Sequence, residues 1–125
     1  MRYIELQGTP RELGRRHGEA FREDIHHYYE FFCAGRGNTP DTFDPSIRRY
    51  AEGHFPELVE EIRGLAEGAS LTYEQMLVYN HFNVIDGCTP VFFRRTDRGP
   101  LLGQTLDCEP EEQQAVLVRK VRPTK

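Results

Sequence analysis

The spacing of the apolar residues changes once along this chain, at Asp86-Gly87-Cys88-Thr89. Before that point apolar side chains recur at three- and four-residue intervals, the mark of helices; after it the run Val91-Phe92-Phe93 opens a strand-like pattern. A helical run followed by a run of strands is the pattern of an α+β protein. The residues at the switch also carry a chemistry. Were the Gly87–Cys88 bond cut, Cys88 would hold a thiol and a free α-amine on one residue. That amine has a pKa of about 7.7–8.0, so at neutral pH it can take the thiol proton without a separate histidine. Gly87, lacking a Cβ, lets the thiol approach its carbonyl. The plainer alternative is a small buried cysteine behind a turn glycine.

Upstream, residues 3–7 read as a short strand. Thr9-Pro10-Arg11-Glu12 starts a helix, with Thr9 as N-cap, Pro10 at the first helical position and Glu12 closing a capping box. Leu13, His17, Phe21, Ile25, Tyr28 and Phe32 continue at helical spacing, which predicts one helix to about Cys33. Gly14 and Gly18 lie four apart within it. Each costs about 1 kcal/mol against alanine, so a closely packed neighbour is expected to need that flat patch. Gly35-Arg36-Gly37-Asn38-Thr39-Pro40 is a helix C-cap and turn; as a phosphate cradle it lacks a preceding strand and a following Lys-Ser/Thr.

Asp44-Pro45 starts a second helix. Pro56 interrupts it, and the pattern resumes through Leu58, Val59, Ile62, Leu65 and Ala66, with Gly68 expected as the C-cap residue. Leu71-Thr72-x-x-Gln75-Met76 combines a capping box with a hydrophobic staple and predicts a third helix to His81 or Phe82. Residues 83–87 form a linker. Residues 88–95 and 101–107 read as a hairpin around Thr96-Asp97-Arg98-Gly99-Pro100, and 115–121 as a further strand.

The formal charge of −4 and the pI near 5.7 leave no basic stripe for phosphates and exclude nucleic acid as a partner. No stretch approaches the length of a membrane span, and Met1-Arg2-Tyr3-Ile4-Glu5 is no apolar signal segment, so neither a membrane nor secretion is expected. Cys33, Cys88 and Cys108 contain no C-x-x-C pair and leave one over, a pattern that suits reduced thiols in the cytoplasm. With 125 residues and a mean hydropathy of −0.66, the chain is polar for one that must bury a core unaided; its 8 Phe and 6 Tyr offset this.

His26 and His27 are adjacent, point to different sides of a helix and cannot chelate together; with Cys33 and His54 scattered elsewhere, no metal site is expected. His17 lies on the apolar face and reads as a packing histidine. Arg15-Arg16 and Arg48-Arg49 read as solvated helix faces, and of Arg94-Arg95 at most one faces a ligand. Glu57, Glu60 and Glu61 read as an exposed helix surface. Asp107, at the end of the returning strand, is placed beside Cys88 if the hairpin pairs. A carboxylate there can hold the new ammonium or orient the amide being cut; the alternative is a strand-end turn aspartate.

Several stretches occur together and in order: Gly8-Thr9-Pro10-Arg11-Glu12-Leu13-Gly14 with Gly18; Pro56-x-x-x-Glu60-Glu61-Ile62-x-Gly64-Leu65-Ala66-x-Gly68; Asn80; Asp86-Gly87-Cys88-Thr89; and Gly103-Gln104-x-x-Asp107. In this the chain resembles the penicillin acyltransferase-like cysteine N-terminal-nucleophile hydrolases. The resemblance implies a zymogen activated by autoproteolysis between Gly87 and Cys88. Residues 1–87 would remain as a mostly helical small subunit, and residues 88–125 would be the first strands of an αββα sandwich, incomplete here. Cys88 would be the nucleophile, its amine the base and Asp107 an assisting carboxylate. No cofactor is implied. Substrates would be small non-peptide amides or acyl-CoA thioesters, handled by acyl transfer or hydrolysis.

The chain departs from the family pattern at Thr105-Leu106, where Asn-Trp is common, and at Pro90, which removes a ladder donor and fits only an edge or a bulge. The family's catalytic chain also runs far beyond residue 125 and supplies the oxyanion-hole asparagine there. Residues 1–125 are therefore expected to be an N-terminal fragment, inactive alone, whose partner is the remainder of its own catalytic chain. Two rivals remain. One is a non-catalytic helical binding module with a structural Cys88. The other is a thiol enzyme pairing a cysteine with His81.

Overall fold

A computed structural model describes residues 2–82, 90–94, 97, 99–104 and 117–124. The chain opens with strand β1 (Arg2–Gly8) and passes into helices α1 (Pro10–Ala20) and α2 (Arg22–Tyr28). A π-helical turn (Tyr29–Cys33) and two short 3-10 turns follow. Helices α3 (Pro45–His54), α4 (Pro56–Ala69) and α5 (Tyr73–Phe82) complete the helical segment. Strands β2 (Pro90–Phe93) and β3 (Leu101–Gln104) form an antiparallel hairpin, and β4 (Leu117–Pro123) lies parallel to β1. The described residues are thus mostly helical with two small sheets, an α+β arrangement.

Local signals account for most helix ends. Thr9 and Glu12 close the expected capping box, Asp44 accepts from the Ser46 amide at 2.8 Å, and Thr72 and Gln75 cap each other's amides at the start of α5. Pro10, Pro45 and Pro56 stand at helix starts, where a missing N–H costs nothing. Gly37 closes the turn after Cys33 in the left-handed conformation (φ 79°).

The centre of the fold is the crossing of α1 on α4. Gly14 and Gly18 face Gly64 and Gly68, and a Cβ built on Gly14 would lie 1.9 Å from the Glu61 carbonyl oxygen. One on Gly64 would lie 2.0 Å from that of Arg11, and one on Gly68 2.1 Å from that of Arg15. The two backbones touch, so the flat patch expected on α1 exists and α4 supplies its match. Gly68 therefore packs inside α4 and does not end it; Ser70 does, at φ 60°. Around this contact Ile25, Ile62, Leu65, Ala66, Ala69, Met76 and Leu77 form the core, and Tyr29, Cys33 and Val78 form a second cluster beside it.

The helix expected from Pro10 to Cys33 is broken at Phe21 (φ −126°, ψ 27°) without proline or glycine. The break re-aims α2 at the end of α4. Arg22 Nε donates to the Gly68 carbonyl at 3.0 Å and His26 Nε2 to that of Ala69 at 2.6 Å, satisfying acceptors that α4 leaves open. Spacing of four residues runs through such a break unaltered, so periodicity did not register it.

In the β1–β4 ladder Arg2 pairs with Leu117 and Gly8 with Pro123, and the Thr124 amide extends it to the Gly8 carbonyl at 2.9 Å. Leu6 is buried, while Tyr3, Glu5 and Gln7 face out. Glu5 pairs there with Lys120 at 3.2 Å and Arg122 at 2.9 Å. β4 lies two residues later than the strand expected at 115–121. Pro90 is the first residue of β2, a position that tolerates its missing donor.

Candidate functional site

Gly87, Cys88 and Asp107 lie outside the described residues, as does Cys108. The described elements flank them in the sequence. α5 carries the chain toward residue 88 and is anchored by Met76 and Val78, both fully buried, and by Leu77. Asn80 Nδ2 donates back to the Met76 carbonyl at 2.8 Å, and the His81 ring meets Phe43 edge-on at 5.6 Å. On the far side, β2 and β3 pair with Pro90 opposite Gln104 and Phe93 opposite Leu101. In the sequence, residue 88 precedes the first of these pairs by two positions and residue 107 follows it by three.

A polar cluster that sequence reasoning missed lies where α1, α4 and β4 meet. Arg119 of β4 reaches between the helices and donates through one guanidinium nitrogen to Glu61 and through the other to His17 Nδ1 at 3.2 Å. The His17 ring also meets Phe21 edge-on at 5.6 Å. Burial first, and the Arg119 charge second, lower the His17 pKa to about 4; Glu61 opposes them. His17 is thus the packing histidine expected, with a partner 102 residues away that no local pattern announces. Glu61 is not a solvated residue as expected, its side chain being 25% exposed and ion-paired.

Other sequence candidates find structural roles. His26 and His27 diverge: the first caps α4, the second stacks on Phe31 at 6.2 Å. His54 Nδ1 donates to the Tyr50 carbonyl at 2.9 Å. Cys33 is free and 1% exposed, and burial pushes its thiol pKa up, so it stays protonated and inert. Among the described residues no three His, Cys, Asp or Glu side chains gather to hold a metal ion. Arg36 lies over the Phe32 ring at 4.9 Å. Arg48 is not the unpaired surface cation expected: it pairs with Glu52 and Glu74, and both it and Arg63 lie over the Tyr73 ring, at 5.2 and 5.1 Å. Glu60 is not free either, pairing with Arg11 and Arg63.

A groove of about 640 Å³ opens at the N-terminal ends of α1 and α4, walled by Pro10, Pro56 and Pro123. Arg11 reaches it but is held by Glu60 and Glu67, and among the described residues that line it there is no histidine, cysteine or serine. Among the described residues no helix is long and apolar enough to cross a membrane.

Over 122 aligned residues the chain is 29% identical to the 40 kDa form of acyl-coenzyme A:6-aminopenicillanic-acid-acyltransferase of Emericella nidulans. The likeness is distant. The match covers 86% of this chain and 34% of that protein, so the chain spans about a third of its relative's length. No family model matches the chain.

Proposed function

We propose that the chain is the N-terminal portion of a self-processing cysteine acyltransferase or amidohydrolase. The observation that carries this reading is the likeness to an acyl-CoA-dependent acyltransferase over 86% of the chain. The position of Cys88 between the end of a buried helix and the start of a hairpin supports it. In this reading the chain beyond the Pro90–Gln104 pair brings Cys88 and Asp107 together.

In this reading residues 1–87 become the retained helical subunit and residues 88–125 begin an αββα catalytic sandwich. The Cys88 thiolate attacks the Gly87 carbonyl carbon; the C–N bond breaks, the nitrogen keeps a proton from the thiol, and a thioester forms. Water then hydrolyses that thioester, leaving the Gly87 carboxylate, the Cys88 thiol and a free α-amine. The mature cysteine takes an acyl group from a small amide or an acyl-CoA, its amine shuttling the proton, and passes it to an amine or to water. Asp107 holds the new ammonium. The rest of the catalytic chain supplies the oxyanion donors, each worth about a hundred- to a thousand-fold in rate. A cytoplasmic setting keeps the thiol reduced.

Intact-mass measurement on the protein expressed from its complete reading frame tests this. Wild type yields one piece ending at Gly87 and one beginning at Cys88, and Cys88→Ala remains whole. A single uncut species in wild type overturns self-processing. A second reading, a helical binding module with a structural Cys88, is favoured by one observation: the helical segment holds core clusters of its own, Ile25, Ile62, Leu65, Met76 and Leu77 in one and Tyr29, Cys33 and Val78 in the other. It requires that Cys88→Ser leave function intact.

A further inference from the structure

We propose that His17, Arg119 and Glu61 form an acid-released latch that holds β4 on the α1–α4 pair. The inference concerns these three side chains and does not depend on any role of Cys88. A guanidinium carries donors and no acceptor. The contact between Arg119 and His17 Nδ1 at 3.2 Å therefore requires that nitrogen to be unprotonated, which places the ring proton on Nε2. A second proton on the imidazole would remove the acceptor and set two cations face to face.

The surroundings do little to offset that. From α4 the charged group is Glu61, whose carboxylate already accepts from Arg119; from β4 it is Arg119 itself. β1 turns Ile4, Leu6 and Gly8 inward, and Arg2 at its start is paired with Asp24. At the break after α1, the ring meets the uncharged Phe21 ring edge-on. Burial works in the same direction as Arg119, and the ring is held neutral down to about pH 4.

The sign follows from linkage. The docked histidine binds its proton more weakly than a released one, whose pKa is about 6.5. Above that value the latch is at full strength. As the pH falls from about 6.5 toward 4, the released state gains the proton first, and docking weakens by up to about tenfold per pH unit. What else holds β4 is its ladder to β1 and the exposed pairs of Glu5 with Lys120 and Arg122. The α1–α4 contact is backbone against backbone at four glycines, and the carboxylates that bridge the two helices are held below the ordinary carboxylate range, Glu60 by Arg63 and Arg11 and Glu67 by Arg11, so acid loosens the strand before it loosens the helices.

Amide hydrogen exchange on the intact chain at pH 7, 6, 5 and 4, corrected for intrinsic rates, tests the latch. Protection at residues 117–123 is expected to fall by up to about tenfold per unit below pH 6.5 while residues 13–18 and 62–68 keep theirs. In His17→Gln, which keeps an acceptor but does not titrate, protection of β4 is expected to stay level across the range. In wild type the His17 ring carbon and proton shifts should titrate near pH 4, a reading that needs no variant. Three results overturn the proposal: a His17 midpoint near 6.5, the same loss of protection in His17→Gln, or strand and helices losing protection together.

Discussion

The α1–α4 crossing and the β1–β4 ladder both join segments far apart in sequence, but by opposite means. The crossing is made of absence: four glycines remove the side chains at its centre, so carbonyl oxygens of one helix sit where Cβ atoms of the other would be. The ladder is made of long, partly exposed side chains, with Glu5, Lys120 and Arg122 on one face and Arg119 reaching under the other. Close packing punishes the smallest added atom, whereas solvated ion pairs are individually weak. The molecule is rigid at its helical centre and adjustable along its parallel edge.

The largest test of that contrast is Gly14→Ala. Helix propensity alone predicts a gain of about 1 kcal/mol. A methyl group 1.9 Å from the Glu61 carbonyl reverses the sign, and a loss of about 3 kcal/mol or more is expected in chemical denaturation. A neutral result would mean the helices stand further apart than described. Arg119→Ala comes next, with an expected loss of about 1 kcal/mol, read at pH 7, because its side chain is mostly covered and leaves Glu61 without its partner. An effect as large as that of the glycine would erase the distinction between the two regions. Smallest is Ser70→Gly, expected to stabilise by about 0.5 kcal/mol, since Ser70 holds a left-handed conformation (φ 60°) that glycine adopts without strain. Glycine is thus favoured at residue 14 by the space around it and at residue 70 by the backbone angle.

These residues also show what was legible in the sequence. Gly14 and Gly18 announced a close neighbour because glycines four apart in a helix have a cost that something must offset. Gly64 and Gly68 carry the same spacing, yet Gly68 was expected to be a cap: its place after the last apolar residue suits either role, and the packing decided. Capping boxes at Thr9 and Thr72 were readable because they involve residues three apart. The break at Phe21 was not, since its cause is the pair of open carbonyls at the end of α4. Arg119 was invisible for the same reason, as nothing within a turn or a strand of it names Glu61 or His17. Of the proposed catalytic residues, the flanking helix and hairpin were legible; the positions of Cys88 and Asp107 lie outside the described residues, and their roles rest on the likeness.

The parallel pairing of β1 with β4 has a consequence for how such a chain comes into being. Parallel neighbours need a crossover between them, and here the crossover is the entire helical segment together with the hairpin. During translation β1 leaves the ribosome well before its partner β4, which follows after roughly 5–20 s at ordinary rates of synthesis. For that interval its backbone donors and acceptors stand open to any passing strand, in its own chain or another's. The exposed Tyr3 and the charged Glu5 sit on that waiting edge, and the carboxylate is the kind of residue that keeps strangers off until the right strand arrives.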